Sequence, residues 1–174
     1  TFERQVVDEP LTIIVSRNGW VRARQGHGID LTGTTYKDGD APYAVFETRS
    51  IHSIAMIDST ARAFSVEAAE IPGGKGDGVS FTSLVELAPG ARLAQVVDAQ
   101  PGRRYLVANS GGYGFIVKSE DLLSRVRAGK TFMTVEEGDE VLRPALVPDK
   151  PVMAVTLSEN GRMLLFKAAD LKDL

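Results

Sequence analysis

The chain has 174 residues, a formal net charge of −3, 43% hydrophobic residues and no cysteine. That length and apolar content support one unit with a real core, and the missing cysteines exclude a disulfide framework or a thiolate metal site. No apolar run is long enough to cross a bilayer, and Thr1 is followed by neither a basic n-region nor an apolar h-region, so a cytoplasmic protein with no membrane partner is expected.

Residues 1–10 read as a polar lead-in ended by Pro10. Residues 12–16 are rich in β-branched side chains and read as a buried strand. Asn18-Gly19 signals a tight turn, because both residues tolerate positive φ, and residues 20–24 then form the return strand. A glycine-rich stretch with His27 leaves this hairpin, Asp38-Gly39 makes another turn, and residues 43–48 alternate as a third strand.

The same plan recurs. Residues 54–58, a turn at 59–61 and residues 62–67 make a second hairpin, followed by the Pro/Gly-rich loop 72–78 and strands near 79–87 and 93–97. Residues 105–109 and 113–118 flank Ser110-Gly111-Gly112 as a third hairpin. Ser119 is placed to N-cap a short helical turn, with Glu120 and Asp121 favoured by the helix dipole. Strands at 131–135 and 141–146 follow. Residues 152–157 and 162–167 flank Glu159-Asn160-Gly161 as a fourth hairpin, and the sequence stops at Leu174, in mid-repeat and without an initiator Met, which reads as a fragment of something longer.

With Gly19, Ala61, Gly112 and Gly161 as the turn position, the units recur about every 40–50 residues, the period of blades, solenoids and arrays. Phe64, Phe115 and Leu164 share one offset past the turn, and Ile29, Ile71, Leu122 and Leu171 share another. Gly39-Asp40, Gly90-Ala91 and Gly138-Asp139 each lead into what reads as an outer strand, giving roughly four strands per unit, as in a propeller blade. The expected fold is therefore all-β. It consists of a lead-in at 1–10 and a disc over 11–174, with units near 11–50, 51–100, 101–150 and an incomplete one at 151–174.

The runs NGWVRARQGHGID, STARAFSVEAAEIPGGKGDG, GGYGFIVKSEDLLSRVRAGK and NGRMLLFKAADL resemble successive blades of the C-terminal domain of the bacterial DNA topoisomerase IV A subunit, and more distantly that of the gyrase A subunit. The resemblance implies a β-pinwheel whose blades exchange strands. It also implies duplex DNA binding on a basic outer rim, which presents DNA to the catalytic core of the same polypeptide, assembled with the topoisomerase IV B subunit. ATP and Mg would be handled by other domains, and the setting would be the nucleoid. The gyrase box Gln-Arg-Arg-Gly-Gly-Lys-Gly is not intact here. Its remnants lie at 24–28, 72–76 and 127–130, which favours topoisomerase IV and argues against strong chiral wrapping.

The negative total conceals a segregation of charge. Between Arg103 and Lys130 there are six cations against Glu120 and Asp121, while acids gather at Glu136, Glu137, Asp139 and Glu140. Glycine loops carrying Lys or Arg suit phosphate contact, since the backbone approaches closely and the long side chain reaches the charge. The candidate DNA-binding residues are Arg22, Arg24, Lys75, Arg125, Arg127, Lys130 and Arg162, with His27, Arg62, Arg103 and Arg104 behind them. Nothing resembles an inserted reading helix, so binding independent of sequence is expected. Trp20, Tyr113, Phe64 and Phe115 recur in register beside the turns and read as core rather than stacking platforms. His27 and His52 lack the partners of a zinc site, and Gly73-Gly74-Lys75-Gly76 lacks the spacing of a nucleotide loop. No catalytic constellation is visible. The alternative is a propeller-type protein-interaction scaffold, which the net negative charge would suit.

Overall fold

The computed structural model describes residues 5–73 and 76–174. The first unit contains β1 (Pro10–Ser16), β2 (Trp20–Gln25) and β3 (Pro42–Arg49), and the second β4 (Ser53–Asp58), β5 (Arg62–Glu67), β6 (Val79–Ser80) and β7 (Leu93–Asp98). The third contains β8 (Arg104–Ala108), β9 (Gly114–Lys118), β10 (Lys130–Thr131) and β11 (Ala145–Val147), and the fourth β12 (Met153–Leu157) and β13 (Met163–Lys167). All pairings between these strands are antiparallel.

One turn is built four times. The amides of Gly19, Ala61, Gly112 and Gly161 donate to the carbonyls of Ser16, Asp58, Asn109 and Ser158 at 2.9–3.2 Å. The side chains of those same four residues accept from the amides of Trp20, Arg62, Tyr113 and Arg162 at 3.0–3.1 Å. A short polar side chain at the strand end thus replaces the ladder partner that the turn removes. The fourth turn residue has positive φ in every unit, glycine in three and Ala61 (φ 59°) in the other. The sequence register at these four positions is a register of hydrogen bonds.

The sheets are not made from single units. The first is ordered β3-β1-β2-β6 and the second β7-β4-β5-β10, so each takes its last strand from the unit that follows. The two exchanges share one register. Val79 and Ser80 oppose Val21 and Trp20, while Lys130 and Thr131 oppose Ala63 and Arg62. The next amide continues the match, Phe81 donating to Gly19 O at 2.8 Å and Phe132 to Ala61 O at 3.1 Å. The expected strand over 79–87 is accordingly much shorter. Pairing stops after Ser80 because Phe81 turns into the core at the start of a 3-10 turn, Phe81–Ser83.

The glycine just before each exchanged strand is required by contact as well as by φ. A Cβ on Gly78 would overlap the Val21 carbonyl, and one on Gly129 would sit 2.8 Å from both Ala63 O and the Phe64 ring. Both glycines have positive φ, 83° and 72°.

Burial follows the stacking of units. Ile13, Val15 and Val21 of the first pack with Ile54, Met56, Phe64 and Phe81 of the second. Ala55, Ala63 and Val97 of the second pack with Tyr105, Val107, Val117 and Leu122 of the third. Each large side chain buried this way contributes about 1.5–3 kcal/mol, so adjacent units hold each other in place. In the fourth unit the corresponding face of the hairpin, with Val155, Leu157, Met163 and Leu165, is more than half exposed at each position.

Other expectations also need correction: the strands expected at 131–135 and 141–146 are Lys130–Thr131 and Ala145–Val147. Ser119 is not an N-cap: the 3-10 turn Ser119–Leu122 begins on it, Lys118 holds the cap position, and Ser119 Oγ donates to Gln100 O at 2.6 Å. The glycine-led strands β3, β7 and β11 are not the outer ones. Tyr43 on β3 donates its hydroxyl to Gln95 Oε1 at 2.7 Å, and Gln95 Nε2 donates to Val141 O at 3.1 Å. Arg143 closes the set on Tyr43 O at 2.9 Å, with its guanidinium 4.3 Å from the ring centre. Units one and three meet here although they are not neighbours in the chain, so this edge of the sheets faces the axis. The exchanged strands β6 and β10 lie on the opposite, peripheral edge.

Candidate nucleic-acid interface

The chain between Leu122 and β10 forms a short basic loop on that peripheral edge. Leu122 is fully buried and anchors its start, and the Ser124 amide donates to Ser65 Oγ of the second unit at 2.6 Å. The tip turns where the Gly129 amide donates to Val126 O at 2.9 Å. Arg62 holds the far side, donating from Nη1 to Ala128 O at 2.8 Å and to Gly129 O at 3.3 Å. Arg125, Arg127 and Lys130 are exposed, and Val126 between the two arginines is 62% exposed. Lys130 Nζ donates to Asp121 O at 3.2 Å. Among the described residues none of these three cations forms an ion pair. The loop therefore offers three positive charges to solvent on a backbone fixed at both ends, which suits a phosphate chain.

The other candidates are placed differently. Arg22 is a correction: it is 5% exposed, donates from Nη1 to Gly76 O and from Nη2 to Thr35 O at 2.5 Å, and sits 5.7 Å from the Tyr36 ring centre. Both Nη atoms are committed to carbonyls of the loops at Thr35 and Gly76 rather than turned to solvent. Lys75 lies outside the described residues. Arg24 is half-buried beside a groove bordered by Glu67, Glu70 and Ile71, apart from the basic loop. Arg162 is exposed on the fourth hairpin. His27 sets Nε2 2.7 Å from Thr48 O, so its ring serves the backbone. Arg103 pairs with the buried Asp98 at 3.0 Å and Arg104 approaches Asp173 at 3.9 Å.

Of the aromatics read as core, Phe64 is fully buried and Phe115 partly. Tyr113 is 69% exposed, and Trp20 is half-buried under Lys37, whose Nζ lies 3.3 Å from the ring centre. The residues that sequence reasoning missed are the exchange elements themselves. GVSF at 78–81 and GKTF at 129–132 stand at the same offset from the turn positions Ala61 and Gly112, a match that aligning the units past the turn would have exposed.

No family model matches the sequence. The solved structure of the E. coli ParC C-terminal domain superposes with a TM-score of 0.87 at 36% identity, covering 95% of this chain and 68% of that one. The chain belongs to the family of C-terminal domains of DNA topoisomerase IV A subunits. Full-length relatives agree: the DNA topoisomerase 4 A subunit of Neisseria gonorrhoeae is 42% identical and that of Escherichia coli K12 36%, each over 95% of this chain. The chain spans about a fifth of their length, 22% in both cases. A gyrase A C-terminal domain shares the fold at a TM-score of 0.64 and 18% identity. The all-β disc expected from the repeat, and the pinwheel that the resemblance implied, are thus the fold of this topoisomerase IV family, and the strand exchange described above is its form in this chain. Among the described residues no helix is long and apolar enough to cross a membrane.

Proposed function

We propose that this domain binds duplex DNA on its peripheral edge without regard to sequence. It would present the bound segment to the catalytic core of a topoisomerase IV A subunit, which works with the B subunit in decatenation and relaxation, in the cytoplasm at the nucleoid. ATP and Mg would act through other parts of that enzyme, and the domain itself would be non-catalytic. The observation that carries this reading is the loop of Arg125, Arg127 and Lys130, held rigid by Arg62 and Ser65 with its charges turned outward. Membership in the topoisomerase family supports it.

The test is a binding titration of duplex DNA at several salt concentrations, for the parent and for a variant with Arg125, Arg127 and Lys130 all changed to Glu. The parent's affinity should fall steeply with salt, and the variant should bind at least about tenfold more weakly with a slope shallower by about 2–3, as expected when three counterion-releasing contacts are lost. A variant matching the parent in both respects refutes the assignment to this loop.

A further inference from the structure

The contact between Arg143 and Tyr43 skips a unit. Tyr43 of unit one donates its hydroxyl to Gln95 of unit two at 2.7 Å, and Gln95 Nε2 donates to Val141 O of unit three at 3.1 Å. Those two links join neighbours. Arg143 of unit three closes the triangle directly onto unit one, its Nη2 donating to Tyr43 O at 2.9 Å and its guanidinium lying 4.3 Å from the ring centre. Arg143 is exposed and, among the described residues, forms no ion pair. Its side chain is held by this tyrosine.

A stacked array whose units touch only their neighbours adds up the small angular freedom of each interface. The two interfaces here differ in how firmly they interlock. Unit two meets Ile13 and Val15 of unit one with the large side chains Met56 and Phe64, which resist sliding once packed. The face that unit two turns to unit three is built from Ala55, Ala63 and Val97. Apolar burial is non-directional, so a face of such small side chains leaves unit three freer to slide or tilt on it. A hydrogen bond and a stacked cation are directional. Arg143 supplies both at the axis, where any slide of unit three separates it from Tyr43.

We propose that Arg143 is a latch across the axis that fixes the rise and tilt of unit three relative to unit one, and thereby the curve of the periphery along which duplex DNA lies. The second part rests on the DNA-binding reading above. Axis and periphery move together because single sheets run between them. β3 and β6 are the two edges of the first sheet, and β7 and β10 those of the second. At the usual strand spacing the peripheral strand stands roughly 14 Å from the axial one, so a tilt at the axis is carried to the edge.

The chain holds no cysteine, so introduced pairs carry spin labels without background. Gln25, Glu67 and Lys118 are exposed and stand six residues past the turn positions Gly19, Ala61 and Gly112, one in each unit. Gln25→Cys with Lys118→Cys reports units one and three, and Gln25→Cys with Glu67→Cys reports units one and two. In Arg143→Ala, and in Arg143→Lys, which keeps the charge without the planar stack, the first distance distribution should broaden at least about twofold while the second keeps its width. Energy transfer across an end-labelled duplex should show a broader spread of bend angles on Arg143→Ala than on the parent, with the salt slope of binding unchanged. An unaltered first distribution overturns the latch. Equal broadening of both pairs marks general loosening and overturns it as well. Broadening of the first pair alone with an unaltered bend overturns the link to DNA. Because the distances are read without DNA, a parent that binds no duplex refutes the DNA-binding reading and leaves the latch decided by the first pair.

Discussion

The guanidinium of Arg62 donates to the carbonyl of Ala128 at 2.8 Å, tying the return strand of the second unit to the basic loop of the third across 66 residues of chain. Arg22 does the corresponding work one unit earlier, on Gly76 O. In both places a cation of one unit fixes the loop by which the next unit crosses over it. Not every arginine of these basic segments is therefore available to DNA.

Arg62 should consequently act on DNA binding through the loop. Replacing it with Lys keeps the charge but loses the planar guanidinium whose Nη1 donates to both Ala128 O and Gly129 O. Affinity should fall by about three- to tenfold, the equivalent of one hydrogen bond of about 0.5–1.5 kcal/mol. The salt slope should not change, because no phosphate contact is removed. Faster amide exchange at Arg127–Gly129 would accompany the loss. A shallower slope would instead make Arg62 a phosphate ligand.

Gly129→Ala should be far more costly than an ordinary glycine substitution. A Cβ there meets Ala63 O and the Phe64 ring at 2.8 Å, while Gly39, with a similar φ of 77°, has nothing within 4 Å. Gly39→Ala then carries only the left-handed penalty of about 1–2 kcal/mol. Gly129→Ala adds overpacking of about 1–3 kcal/mol and loosens the exchanged strand. Urea unfolding of the two variants should show this gap, and equal costs would mean that β10 yields without strain.

Asp58 tests the repeated turn. Its Oδ1 accepts from Thr60 N at 2.8 Å, Thr60 Oγ1 at 2.7 Å and Arg62 N at 3.0 Å, with the side chain fully buried. Asp58→Ala should cost about 2–4 kcal/mol, since three donors lose their acceptor. Asp58→Asn should cost under about 1 kcal/mol, because Asn109 already holds this place in the third unit and accepts from Tyr113 N through Oδ1. Thermal unfolding of the two variants separates these outcomes.

The hairpins were legible because their signals are local. The turn residue, the β-branched strand and the short polar residue at the strand end all lie within one hairpin, and their recurrence set the register. The exchanged strands were not legible in the same way. Val79–Ser80 and Lys130–Thr131 are two residues each, too short for alternation to show, and their partners stand in another unit. The direction of the sheets was misread for a related reason: only Tyr43, Gln95 and Arg143, drawn from three units, reveal the axis. Within the candidate interface, Arg125, Arg127 and Lys130 were readable from a basic loop beside glycine. The burial of Arg22 was not, because its acceptors Thr35 and Gly76 lie in loops well separated from it in sequence.

Asp98 sets a pH dependence with a definite sign. It is 1% exposed, Arg103 Nη1 lies 3.0 Å from Oδ2, Gln100 Nε2 donates to Oδ2 at 2.5 Å, and Oδ1 has no partner among the described residues. Burial pushes its carboxyl above the usual 3.8, with Gln100, Arg103 and His52 opposing only in part. The folded state then holds this proton more tightly than the unfolded chain does. Its contribution to stability is present at low pH and is lost as pH rises from about 3.8 through the raised folded value. Asp98→Asn removes that dependence while preserving the shape, and Arg103, about one-third exposed, stays hydrated without its partner. The stability of the variant relative to the parent should therefore improve as pH rises from about 3.8 and level off above the raised folded value, as measured by urea unfolding at a series of pH values. A constant difference across that series would show that Arg103 and Gln100 fully compensate the burial of the charge, and the tie between the second and third units would then carry no electrostatic strain.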